Sequence, residues 1–76
     1  MKELLRTIVE SLVTKPEAIE IGETAGETIT IFELRVAEED RGRVIGKQGN
    51  TARSIRTILN AVATRNSRKV TLQIVE

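Results

Sequence analysis

The stretch "GRVIGKQGNTARSIRTI", residues 42 to 58, restricts the fold more than any other part of the chain. Two glycines, Gly46 and Gly49, bracket Lys47 and Gln48 and interrupt a helical pattern that runs on both sides of them. Upstream, Glu38, Glu39 and Asp40 stand where the first turn of a short helix would be, a place where carboxylates suit the helix dipole, and that helix ends at Gly46. Downstream, Ala52, Ile55, Leu59 and Val62 line one side of a helix over about residues 50 to 64, flanked by Ile58 and Ala63. Any fold for this chain must therefore join two helices through a tight, glycine-bracketed loop.

The remaining elements follow from changes of hydrophobic period. Leu4, Leu5, Ile8, Val9, Leu12 and Val13 recur at helical spacing, which predicts an amphipathic helix over residues 2 to 14, stopped by Pro16. "AIEIGET" and "TITIFELRV" predict strands over about 18 to 24 and 27 to 37, with "AGE" as the hairpin turn. In the second strand Phe32, Leu34 and Val36 share one face while Ile29 and Ile31 share the other, so either the strand is apolar on both sides near its start or a bulge shifts its register. "RNSRK" is a polar break, and Val70, Leu72 and Ile74 alternate with Thr71 and Gln73 in a last strand. The order is α-β-β-α-α-β, within one domain over residues 1 to 76.

Composition removes most chemistry. Cysteine and histidine are absent, so disulfides, thiolate metal sites, cysteine nucleophiles and the commonest general base are all missing. No acidic cluster has the spacing of a metal loop, and enzymatic activity, a metal and a cofactor are not expected. The opening "MKELLRTIVESLVTK" mixes charges through its apolar positions and reads neither as a signal peptide nor as a membrane span, so a cytoplasmic protein without a membrane role is expected. The net charge of +1 conceals a division: residues 1 to 40 hold four basic and ten acidic groups, residues 41 to 76 eight basic and one acidic. Positive charge gathered around and after the glycine loop suits a local anionic partner.

A glycine pair alone is often only a helix joint. Here the glycines allow close backbone approach, the following helix offers free N–H groups, and Lys47 adds a mobile charge, a combination suited to a phosphodiester backbone. A nucleotide-binding P-loop is excluded. It needs four residues before its Gly-Lys pair and then Ser or Thr, whereas Arg43, Val44 and Ile45 alone intervene here and Gln48 follows the lysine.

"VIGKQGNTARSIRTI" resembles the signature of the KH (K-homology) RNA-binding domain, and the element order resembles its type II arrangement. With one such unit filling the chain, the sequence is similar to the small bacterial single-KH family called KhpA; Ala52 departs from the larger aliphatic residue many KH sequences carry there. The resemblance implies an α+β fold with a three-stranded mixed sheet and helices packed on one face. It also implies binding of single-stranded RNA, with Gly46, Lys47, Gln48 and Gly49 on the sugar-phosphate backbone and bases in a groove bounded by the helices around the loop and the second strand. Val44, Ile45, Ala52 and Ile55 are candidate apolar lining, though Ile55, central in its stripe, reads better as core. Arg43, Arg53 and Arg56 are candidate phosphate contacts, with Arg65, Arg68 and Lys69 widening the electrostatic footprint.

Phe32 is the lone aromatic, which excludes the stacking platforms of an RRM or OB-fold. One copy should then bind only a few nucleotides weakly, and a second site would raise avidity. The resemblance implies a homodimer and pairing with a larger KH-containing RNA-binding protein, in the role of an RNA chaperone or post-transcriptional regulator. Two other readings compete: a helix-turn-helix DNA binder using residues 50 to 64, and a protein-interaction module pairing through Ile58 with no nucleic-acid affinity.

Overall fold

A computed structural model describes residues 1–75 and contains the expected order of elements. Helix α1 (Lys2–Glu10) leads through a 3-10 turn (Pro16–Ala18) into strands β1 (Glu20–Ala25) and β2 (Ile29–Arg35). A second 3-10 turn (Glu38–Asp40) opens into helix α2 (Arg41–Ile45), the glycine loop follows, and helix α3 (Asn50–Thr64) precedes strand β3 (Lys69–Ile74). The sheet order is β1-β2-β3, with β1 antiparallel and β3 parallel to β2. This is the mixed three-stranded sheet of the type II arrangement.

Side-chain alternation decides which face of the sheet is covered. In β2, Thr30, Phe32 and Leu34 point into the core, as does Val36 just beyond it, while Ile29 is 39% exposed and Ile31 half-buried. Pairing runs without interruption from Glu20–Arg35 to Ala25–Thr30, so β2 is apolar on both sides and carries no bulge. The helices close the inner face, bringing Leu5 and Val9 of α1, Val44 of α2 and Ile55, Leu59 and Ala63 of α3 against Phe32, Leu34, Val70 and Leu72. Burying each of these side chains other than Ala63 stabilises by about 1.5–3 kcal/mol, and Phe32, fully enclosed, is the largest among them.

Several boundaries differ from the sequence reading, β2 ending at Arg35 rather than near residue 37 among them. Helix α1 ends at Glu10 rather than near residue 14; Leu12 N–H then bonds the Val9 carbonyl at 2.9 Å, a tightened last turn. The first two strands start two residues later than their β-branched composition suggested, because residues 16 to 18 and 26 to 28 turn. On α3 the core position is Ala63, fully buried, whereas Val62 is 37% exposed: the 3.6-residue period carries the stripe from Leu59 past Val62.

Helix α3 ends with the Arg68 N–H bonded to the Ala63 carbonyl and the Ser67 N–H to the Thr64 carbonyl, each at 3.0 Å. That termination places Ser67 at φ 57°, where glycine is favoured. Ser67→Gly is therefore expected to stabilise the fold by about 0.5–1 kcal/mol, read as a rise of roughly 3–6 °C in the thermal midpoint by circular dichroism.

Candidate nucleic-acid interface

The loop begins where α2 runs out of helix. The Gly46 N–H closes the last turn on the Gly42 carbonyl at 2.8 Å, and the backbone then swings to φ 76°, ψ 174°. Gly49 N–H returns to the Gly46 carbonyl at 3.2 Å, and both Gln48 (φ 57°, ψ 27°) and Gly49 (φ 77°, ψ 10°) are left-handed. The two glycines serve different needs. A Cβ on Gly46 would overlap Thr51 Oγ1 and lie 2.6 Å from Thr51 Cβ and 2.7 Å from Thr51 N, so this position needs both the conformation and the space. A Cβ on Gly49 would meet open space, so only its φ matters.

The result is a short projecting turn with Lys47 and Gln48 exposed at its tip. Gly49 caps α3 with no side-chain hydrogen bond; the Asn50 N–H closes on the Lys47 carbonyl, and the N–H groups that follow it in the helix's first turn are left directed toward the loop at the positive end of a fifteen-residue dipole. The side chains of Lys47 and Arg53 are exposed and make no hydrogen bond or ion pair among the described residues. Arg43 is exposed too, but its Nε lies 3.7 Å from Asp40 Oδ1, so part of its charge is held locally.

Asp40 was expected to serve the dipole of its own helix. Instead it is fully buried and turns back to the chain before β1: Oδ1 accepts from Thr14 N–H at 3.0 Å and Thr14 Oγ1 at 2.8 Å, and Oδ2 accepts from Lys15 N–H at 3.0 Å. The Thr14 N–H above all, with its hydroxyl, the Lys15 N–H and nearby Arg43, holds this carboxyl below its ordinary pKa against the opposing effect of burial. Glu39 beside it pairs with Lys15 at 2.8 Å. Together these contacts fasten the start of α2, and hence the loop it carries, to the end of the α1 segment.

The apolar candidates divide. Val44, Ala52 and Ile55 are buried at 0%, 3% and 2% exposure, so they support the loop and helices from beneath and offer no free surface to a base. Ile45, half-buried next to Gly46, is the one of the four that reaches the surface. The strand beside α3 is also not the one expected. Arg56 Nε donates to the Leu72 carbonyl at 3.3 Å and Asn60 Oδ1 accepts from Val70 N–H at 3.1 Å, so the polar side of α3 lies along the free edge of β3. Arg53, one turn before Arg56, lies on the same side.

Arg68 is a further correction. Its guanidinium bonds the carbonyls of Glu27 at 3.1 Å and Gly26 at 3.0 Å and the Thr30 hydroxyl at 3.0 Å, fixing the β1–β2 turn to the start of β3. Asn60 was missed by sequence reasoning. A polar residue at helical spacing from Arg56 was its sole signal, and nothing local indicated a strand edge beside it.

Comparison with known proteins agrees with this architecture. The family model for the KhpA/KhpB KH domain matches residues 2–74. The chain is 47% identical over 75 residues to the RNA-binding protein KhpA of Clostridium acetobutylicum, covering 99% of this chain and 100% of that protein. It is 49% identical over 76 residues to the RNA-binding protein KhpA of Chlamydia trachomatis, covering 100% and 97%, and 45% identical to that of Listeria monocytogenes over the full length of both. A glycine-looped helix pair on a mixed sheet, matched from end to end by such relatives, means that this chain belongs to the KhpA/KhpB KH-domain family.

Proposed function

We propose that this protein is a non-enzymatic binder of single-stranded RNA, acting through the Gly46 to Gly49 loop as an RNA chaperone or post-transcriptional regulator in the cytoplasm. The observation that carries the reading is the loop itself: an exposed Lys47 and Gln48 on a backbone that two glycines hold open above uncapped N–H groups of α3. Phosphate oxygens meet the amides and Lys47, and Arg53 extends the contact along α3. RNA-binding relatives matched along the whole chain support the same reading, and no helix among the described residues is long and apolar enough to cross a membrane.

The same reading includes pairing of two copies, and pairing with a larger KH-containing RNA-binding protein. Ile58 and Val62, 45% and 37% exposed and four residues apart on α3, form an apolar flank that such pairing would cover. Linking two weak sites in this way raises avidity without new contacts to RNA.

The test compares the native chain with a Lys47→Asp, Gln48→Asp double variant by fluorescence anisotropy on a labelled single-stranded RNA pool, with duplex DNA as competitor. Aspartate tolerates the left-handed conformation at position 48, so circular dichroism should show an unchanged fold. The expected result is at least about a 10-fold loss of affinity in the variant and little competition from duplex. Equal binding by both proteins would make the loop a mere joint, and strong duplex competition would favour a DNA-binding role.

A further inference from the structure

Strand β1 forms the opposite edge of the sheet, away from α3's polar side, and it is open. The Gly26 N–H bonds the Ile29 carbonyl at 2.7 Å and antiparallel pairing continues in step to Glu20–Arg35, so Gly22 and Thr24 turn their backbone groups to β2 while Ile21, Glu23 and Ala25 turn theirs away from the sheet. Those outward N–H and C=O groups have no partner among the described residues. The side chains of the same three residues point to the helix side of the sheet, where Ile21 is buried but Glu23 and Ala25 are exposed. There they border a cavity of about 410 Å³ whose other walls include Thr30, Ala63, Asn66 and Val70. Arg68 lines it as well, but its guanidinium is taken up by the Gly26 and Glu27 carbonyls and the Thr30 hydroxyl.

We infer that this edge is a docking strand for an extended basic segment of a partner protein, which adds to the sheet beside β1 and places one long apolar side chain in the cavity. Backbone pairing with Ile21, Glu23 and Ala25 supplies affinity, and the cavity selects the side chain that strand alternation directs inward. Charge selects the flanking residues. Glu17, Glu20, Glu23 and Glu27 stand exposed along or beside the edge, and among the described residues Glu20 alone of these has an ion pair, a 3.7 Å contact with Arg35. The same carboxylates oppose pairing of two copies through β1, since each copy would set its acidic row against the other's. The cavity adjoins the C-terminal end of α3 and the glycine loop its N-terminal end, about 22 Å away by helical rise, so a docked segment leaves the loop free.

The test is an NMR titration of the isotope-labelled full chain with the synthetic peptide KRVLVKR, combined with amide exchange. Binding is expected with a dissociation constant on the order of 100 μM, since a free peptide loses its disorder on docking. Exchange should slow at Ile21, Glu23 and Ala25 and change little at Gly22 and Thr24, which β2 already pairs. The peptide KRVAVKR, with less to bury in the cavity, should bind at least about 5-fold more weakly, and EEVLVEE should not bind. Glu23→Lys, an exposed substitution whose fold is checked by circular dichroism, should weaken KRVLVKR roughly 3- to 10-fold. No binding of KRVLVKR overturns the inference, as does binding that leaves the three edge amides exchanging at their free rate, the mark of loose charge attraction. Slowed exchange at those amides without peptide, growing with protein concentration, overturns it in favour of pairing between copies. The Lys47→Asp, Gln48→Asp variant should bind the peptide within about twofold of the native chain, so failure of the RNA reading would leave this one standing.

Discussion

Gly46→Ala is expected to lower the thermal midpoint by about 10–30 °C and to take RNA binding with it, whereas Gly49→Ala should cost only about 1–2 kcal/mol. The difference comes from what surrounds each glycine. At φ 76°, ψ 174°, Gly46 occupies a region that side-chain-bearing residues essentially never enter, which costs about 1–3 kcal/mol by itself. A Cβ there also collides with Thr51 side chain and backbone, and relieving that collision costs about 1–3 kcal/mol more. Thr51 cannot retreat freely, because it belongs to the first turn of α3 and is followed by the buried Ala52. A Gly46→Ala, Thr51→Ala double variant should recover only part of the loss, since Thr51 N and the Cβ remain in the way. Gly49 has open space and asks only for a left-handed residue, so Gly49→Asn should come closest to the native midpoint. Equal losses at the two glycines would mean that the steric argument at Thr51 is wrong.

This asymmetry shows how far the sequence could be read. A helix running from residue 50 to 64 was legible because its apolar spacing and its glycine start are both local signals, and the structure begins and ends it there. The β-β hairpin and the parallel return of β3 agree with the family pattern that the loop resembles. What escaped were contacts between segments distant in sequence. Asp40 reads as one of three carboxylates at a helix start, and its partners Thr14 and Lys15 lie 26 and 25 residues away. Arg68 reads as one more cation after α3, yet it fixes a turn about 40 residues upstream. Val44 and Ala52 read as groove lining because an apolar residue beside a binding loop looks the same whether it faces the ligand or the core. Periodicity assigns a residue to a face of its own element; only packing determines what that face meets.

Asp40 gives the second large effect, and acid is its probe. Its folded-state pKa is depressed below the ordinary 3.8, because the charged form alone can accept from the Thr14 N–H, the Thr14 hydroxyl and the Lys15 N–H together. A depressed carboxyl contributes stability that is fully present above its unfolded value and is lost as pH falls through the folded one, so the native protein should weaken on acidification below about pH 4. The Glu39 carboxyl, also lowered, chiefly by its hydrogen bond to Lys15, acts in the same direction. Asp40→Asn keeps the shape but turns an amide donor toward one of the backbone N–H groups, and Asp40→Ala leaves both N–H groups without their acceptor. Each variant is expected to lower the midpoint at pH 7 by roughly 10 °C and to flatten the thermal midpoint's dependence on pH between 2 and 5. Because α2 rises directly from Asp40, the loop should loosen before the sheet does, which amide exchange at Gly46 and Gly49 compared with Phe32 and Leu72 would reveal. An acid profile in Asp40→Asn as steep as the native one would place the sensitivity in other carboxylates and leave Asp40 as packing alone.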